Sequence, residues 1–193
     1  LRLPILFQCT FPFAVANPFT TKDSRVPVEM WFGRQWQRDA ILDPSGTTLI
    51  YGGRQLGKTA LLRNIEYQYH NPKAGVIVLW IDLKAKEMGM SRSPADIWLI
   101  IAHGLERADI VRPQTYQPDM IVKQIQDWLN LHPQRRILLL LDEADEFLYL
   151  DATTDDKTCR GFQTVTALKK IMETTHLRFK VVFAGLHQVQ RIA

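Results

Sequence analysis

The chain is short of the residues that mark secreted, metal-clustered or membrane-embedded proteins. Of its 193 residues only two are cysteines, Cys9 and Cys159. They stand far apart, with no paired spacing and no Cys/His cluster, which excludes a disulfide framework and a cysteine-based metal site. Both read as free thiols in a reducing compartment. No apolar stretch reaches the roughly 18 uninterrupted residues of a membrane span. There is no internal repeat and no low-complexity tract. Charge of one sign is not in large excess either: 24 Lys and Arg against 20 Asp and Glu leave a net +4, which permits nucleic-acid contact without requiring it.

The N-terminus offers one superficial export signal. Arg2 precedes the apolar stretch Leu3 to Ala16, which ends in Ala14-Val15-Ala16 like a cleavage site. Pro4, Pro12 and the single basic residue argue against it, and the reading is cytoplasmic. With 46% hydrophobic and 23% charged residues the composition is that of a soluble globular domain, long enough for one sizeable core.

Within that ordinary background one segment stands out. Gly52-Gly53-Arg54-Gln55-Leu56-Gly57-Lys58-Thr59 fits G-x-x-x-x-G-K-[ST]. The run Thr47 to Tyr51 leads into it as a strand, and Ala60 to Ile65 reads as the start of a helix. A strand, a glycine turn and a helix N-terminus make an anion cradle: backbone N–H groups point inward and the helix dipole adds positive potential. Gly52, Gly53, Arg54, Gln55, Leu56, Gly57 and Ala60 would form the cradle, Lys58 would reach the outer phosphates, and the Thr59 hydroxyl would coordinate Mg²⁺. The segment reads as a nucleoside triphosphate site.

A second signal follows at Ile137-Leu138-Leu139-Leu140-Leu141-Asp142-Glu143. Five apolar residues in a row read as a strand covered on both faces, ending in two carboxylates. Open α/β sheets bind ligands at the strands' carboxyl ends, which would bring Asp142 beside Thr59 and the metal in the Walker B role. Glu143 is the natural general base for a water facing the γ-phosphate. Asp145 and Glu146 read as helix N-terminal charges.

Residues 1–30 are Pro-punctuated and read as an irregular lead-in, and residues 31–193 as the core. After the first strand and helix, Val76 to Asp82 reads as a second buried strand. Ser93-Pro94-Ala95-Asp96 carries an N-cap, a proline and a first-turn acid. It opens a helix with Ile97, Ile101, Leu105 and Ala108 on one face. Ile121, Ile125, Trp128 and Leu129 mark another, closing before Pro133. Asp151 to Asp156 reads as an acidic loop, followed by a helix with Phe162, Val165, Leu168 and Met172. Phe179 to Ala184 is a fourth strand ended by Gly185. The aromatic and Met positions on these helices read as core. The alternation implies an α/β fold, a P-loop NTPase three-layer sandwich around a mostly parallel sheet with right-handed crossovers. The intervening strand allows the third strand to lie beside the first, and the fourth would then bring Ala184 to His187 near the γ-phosphate.

Together these segments resemble the P-loop ATPases of the AAA+ superfamily, especially its origin-recognition-like and STAND branches, including archaeal-type and NACHT-like ATPases. The resemblance rests on Trp31-Phe32-Gly33-Arg34, Gly52 to Thr59, Leu138 to Glu143 and Val181 to His187. It implies AAA+-like strand order, ATP and Mg²⁺ as ligands, and an adenine-side role for Phe32, Gly33 and Arg34. It also implies Asp142 on the metal, Glu143 on the water, and coupling of nucleotide state to a conformational or assembly change. ATP over GTP follows from the same resemblance, and no Asn/Thr-Lys-x-Asp guanine motif occurs. At the sensor position the chain departs from the family: His187 or Gln188 stands where a polar strand-end residue is usual. By analogy Arg191 could serve as a sensor or arginine finger, though a surface arginine is the simpler reading. The chain begins without Met and stops at Ala193, so it is expected to be part of a longer protein, cut before a lid, with a homo-oligomeric or parent-chain partner. DNA is a conceivable partner: Arg34, Arg38, Arg54, Lys84, Lys86, Arg92, Arg135 and Arg136 are basic but scattered. Two rival readings are a nucleotide-dependent scaffold with little hydrolysis and a helicase, because Asp142-Glu143-Ala144-Asp145 spells the DEAD motif. The loop at Gly52 to Gly57 lacks the A-x-T-G-x-G-K-T form that goes with that motif.

Overall fold

A computed structural model describes residues 33–88, 92–112, 117–153 and 161–186. The N-terminal lead-in, Trp31, Phe32, Cys159 and residues 187–193, including His187, Gln188 and Arg191, lie outside them.

Helix α1 (Gln35–Leu42) precedes β1 (Thr48–Tyr51), and α2 (Lys58–Tyr69) follows the glycine loop. A 3-10 turn leads to β2 (Val76–Asp82). The Ser93 segment forms a capping box, in which the Asp96 carboxylate accepts from the Ser93 backbone N–H, and it opens α3 (Ile97–Glu106). Then come α4 (Pro118–Asn130), β3 (Arg136–Asp142), α5 (Asp145–Thr153), α6 (Gln163–Thr174) and β4 (Phe179–Gly185).

The four strands form one sheet in the order β1-β4-β3-β2, every neighbouring pair parallel. Successive side chains of a strand face opposite ways, so each strand feeds two cores. Val78, Leu138, Leu140, Val182 and Ala184 pack with Ile41 of α1 and Leu61, Leu62 and Ile65 of α2. Ile77, Leu139, Leu141, Phe179, Val181 and Phe183 pack on the other face against α3 to α6. This is the expected three-layer sandwich. Each aliphatic side chain fully buried in it stabilises by about 1.5–3 kcal/mol.

The neighbour of the first strand is the fourth and not the third, since β4 stands between β1 and β3. β4 is buried at all seven positions and β3 at six of seven, whereas β1 alternates between half-buried and exposed, with Leu49 and Tyr51 in solvent. Strands covered on both faces belong in the middle of the sheet, and the short β1 takes an edge. β2 occupies the other edge and is only partly buried, correcting its reading as a fully buried strand. Its outward backbone is covered locally. Asn71 pairs with Val76, His70 Nδ1 meets the Val78 oxygen at 2.7 Å, and the Trp80 N–H donates to Glu66 Oε1 at 2.8 Å. Such cover blunts an edge that could otherwise pair with another chain.

Two smaller corrections concern helices. Asp151 does not open an acidic loop; it lies in α5, 3% exposed, and its carboxylate accepts from the Thr164 N–H at 3.1 Å and the Val165 N–H at 2.9 Å. It caps α6, whose own N-cap, Phe162, has a left-handed backbone and supplies no side-chain cap. Trp98, Phe147 and Met172 are core as expected, but Tyr67 and Tyr149 are exposed.

Candidate nucleotide site

The carboxyl ends of β1, β4 and β3 converge on the glycine loop. Ile50 is level with Ala184 and Tyr51 with Gly185, so the end of β4 stands directly beside the residue that enters the loop. Leu141 is level with Phe183, and Phe183 with Leu49. Asp142 is therefore about two strand spacings, roughly 10 Å, from β1. Leu138 and Leu140 face α2, and by alternation so does Asp142.

In the loop, Gln55 and Gly57 both have left-handed backbones. Gly57 sits at the N-cap of α2, where its φ of 73° suits a residue without Cβ. The helix starts with no side-chain cap and no acidic residue in its first turn, so its leading N–H groups carry no counter-charge of the chain's own. Lys58 Nζ donates to the Gly52 oxygen at 2.7 Å and the Gly53 oxygen at 3.0 Å. Of its three donors, one is left over. Arg34 also lies on the loop: its guanidinium donates to the Leu56 oxygen and stands 3.6 Å from where a Gly57 Cβ would be. The Arg34 guanidinium is thus beside the cradle.

Asp142 is 2% exposed, and both its oxygens are held. Oδ1 accepts the Glu143 N–H at 3.0 Å, and Oδ2 accepts the Trp80 indole N–H at 3.2 Å. Glu143 is exposed and has a φ of 52°, a conformation that costs a non-glycine residue on the order of 1 kcal/mol. The strained turn is tied down on both sides, since the Ala144 N–H donates to the Ala184 oxygen at 2.9 Å. Asp145 acts as expected at the start of α5, and it also accepts the Leu186 N–H at 2.6 Å. Ala144 is fully buried. The last two letters of the DEAD spelling therefore serve the fold.

The sequence reading missed Trp80, which sits on a different strand from the acid it touches. The Arg63 guanidinium of α2 stacks on its ring, 3.8 Å from the centroid. Trp80 also lines a groove of about 1350 Å³ along the β2 edge, between α2 and α3. That groove gathers Arg63, Lys86, Arg92 and Arg107, while the other basic residues stay dispersed: Arg38 pairs with Asp39, and Arg135 lies over Trp128.

The donor set suits Mg²⁺. A hydroxyl at the start of α2 and a buried carboxylate facing that helix are hard oxygen ligands, and Mg²⁺ is ordinarily held by one or two such groups plus substrate phosphates. No group of three or more His, Cys, Asp or Glu that could hold a metal ion occurs among the described residues. None of their helices is long and apolar enough to cross a membrane.

Comparison with known proteins bears on the family and the fold. Residues 42–192 match the model of the AAA domain family. Among solved structures, the chain is similar to the Aeropyrum pernix ORC2 protein in its ADPNP–ADP complexes, with a TM-score of 0.56 and 14% identity over 87% of this chain and 43% of that one. The ADP form of the same protein gives 0.53 and 15% over 81% and 40%. The chain thus spans less than half the length of these relatives, and at such identity the likeness is one of fold. Nothing among curated proteins matches. The chain belongs to the AAA domain family.

Proposed function

We propose that this AAA domain binds ATP with Mg²⁺ at the β1–α2 loop and hydrolyses it, its nucleotide state being coupled to a change of conformation or assembly. The observation that carries the reading is the start of α2. A helix with no cap and no first-turn acid, entered through a left-handed glycine and overlain by the Lys58 ammonium, is built to receive an anion from outside the chain.

The residues divide the work as follows. The N–H groups from Gly53 to Ala60 surround the phosphates, and the spare donor of Lys58 reaches their outer oxygens. Thr59 and Asp142 are the protein's oxygen ligands for Mg²⁺, which when bound neutralises charge on the phosphates. Glu143 projects into solvent from its strained turn at the end of β3, free to orient a water. As the water oxygen bonds to the γ-phosphorus and the bond to the ADP oxygen breaks, Glu143 takes up the water's proton. Arg34 braces the loop from outside, and the family resemblance assigns it, with Phe32 and Gly33, to the base and ribose. Preference for adenine rests on the family resemblance, and competition between ATP and GTP tests it.

The decisive experiment on turnover is Glu143→Gln. It should keep nucleotide binding and lower hydrolysis by about 10²–10⁴-fold. Full hydrolysis by the variant would remove Glu143 from its role. Hydrolysis by residues 1–193 alone is expected to be slow, since related sites borrow an arginine from a neighbouring subunit. A homo-oligomer should be faster.

A further inference from the structure

We infer that Trp80 is a positioning residue for the Asp142 carboxylate, linking the helix that begins with Lys58 and Thr59 to the acid at the end of β3. The inference rests on the Mg²⁺–nucleotide reading above.

Three contacts define the arrangement. From β2 the indole N–H reaches across to Asp142 Oδ2 at 3.2 Å. From α2 Arg63 lies on the ring face at 3.8 Å. Also from α2, Glu66 accepts the Trp80 backbone N–H at 2.8 Å. Arg63 and Glu66 are three residues apart on a helix and so share a face. The indole is thus gripped by α2 at ring and backbone, and its N–H has a set direction.

That direction matters because the indole is a donor only. Unlike a hydroxyl it cannot rotate to accept or change partner. With Oδ2 held by Trp80 and Oδ1 by the Glu143 N–H, the carboxylate plane is fixed and its remaining lone pairs point in set directions. Alignment of the sheet does not need this bond. Trp80 is already level with Leu140 and Asp82 with Asp142 through the backbone ladder. What the bond adds is the orientation of one buried acid, and it transmits any shift of α2 to that acid.

Trp80→Phe tests the idea, since it keeps a ring for Arg63 and deletes the donor. Loss of a partner behind a metal-facing ligand typically weakens metal binding about 10–100-fold. ATP affinity is measured in EDTA and then across a Mg²⁺ titration. The variant should match wild type in EDTA, while its Mg²⁺ midpoint should rise at least about tenfold. A purely structural role for Trp80 would instead weaken binding equally with and without Mg²⁺, and that result overturns the inference. So does an unchanged midpoint. Should Trp80→Phe fail to fold, Arg63→Met decides: it leaves the donor but frees the ring, and should raise the midpoint about threefold with binding in EDTA preserved. An unchanged midpoint there overturns the inference as well. Wild type without Mg²⁺-dependent ATP binding would instead sink the nucleotide reading itself.

Discussion

Gly185 and Asp145 approach so closely that a Cβ added to the glycine would lie 2.7 Å from Asp145 Oδ1. The same oxygen accepts the Leu186 N–H at 2.6 Å, so it closes the end of β4 beside the strand that enters the glycine loop. A residue with any side chain would push the acid off its partner.

Gly185→Ala should therefore destabilise the domain by about 1–3 kcal/mol, the usual result of overfilling a packed site. Chemical denaturation measures it. ATP affinity should fall with it, because β4 abuts β1 at Tyr51. Unchanged stability would mean that Asp145 relaxes freely and does not fasten the sheet end.

Asp151→Ala removes both acceptors from the first N–H groups of α6. A buried cap of this kind is worth about 1–2 kcal/mol. The unfolding midpoint should drop accordingly, and nucleotide affinity should hold, because α6 lies on the sheet face away from α2. A stability change within about 0.5 kcal/mol, typical of plain surface sites, would show that the cap is not needed.

How far the sequence could be read depends on whether the signal was local. The glycine loop, the apolar run ending at Asp142, and the Ser93 capping box each occupy a few consecutive residues, and the structure places all of them on the expected elements. Asp151 was misread because it lies in an acidic run whose local pattern looks like a loop. Its partners are 13 and 14 residues away on another helix. The residue pattern alone did not say which of β3 and β4 adjoins β1, because hydrophobicity marks both alike, and only the weak alternation of β1 hints at an edge. Trp80 was invisible as a site residue, since its acid partner is 62 positions further on. Lys180 was within reach: a lone cation in the apolar run Phe179 to Ala184 demands a buried partner.

Lys180 supplies a prediction about pH. It is 4% exposed, and its ammonium donates to the Ala40 oxygen at 3.3 Å and to the Asp43 oxygen at the end of α1. Burial pushes its pKa below the ordinary 10.5, opposed in part by the Asp43 carboxylate. Below the folded value both states hold the proton. Between the folded value and 10.5 the unfolded state binds more protons, so stability from this group rises with pH and is fully present above 10.5. The stability difference between wild type and Lys180→Met should accordingly move in favour of wild type as pH is raised toward 10. A difference that stays flat would contradict a desolvated ammonium.

The central claim is that the loop from Gly52 to Thr59 holds nucleotide phosphates through Lys58 and the N-terminus of α2. Calorimetric titration of ATP and Mg²⁺ into wild type and Lys58→Ala tests it most directly. Wild type should bind at one saturable site, and Lys58→Ala at least about tenfold more weakly, for loss of a charge-assisted hydrogen bond worth about 1.5–3 kcal/mol. Equal affinities in the two proteins, or no binding by folded wild type, would contradict the account.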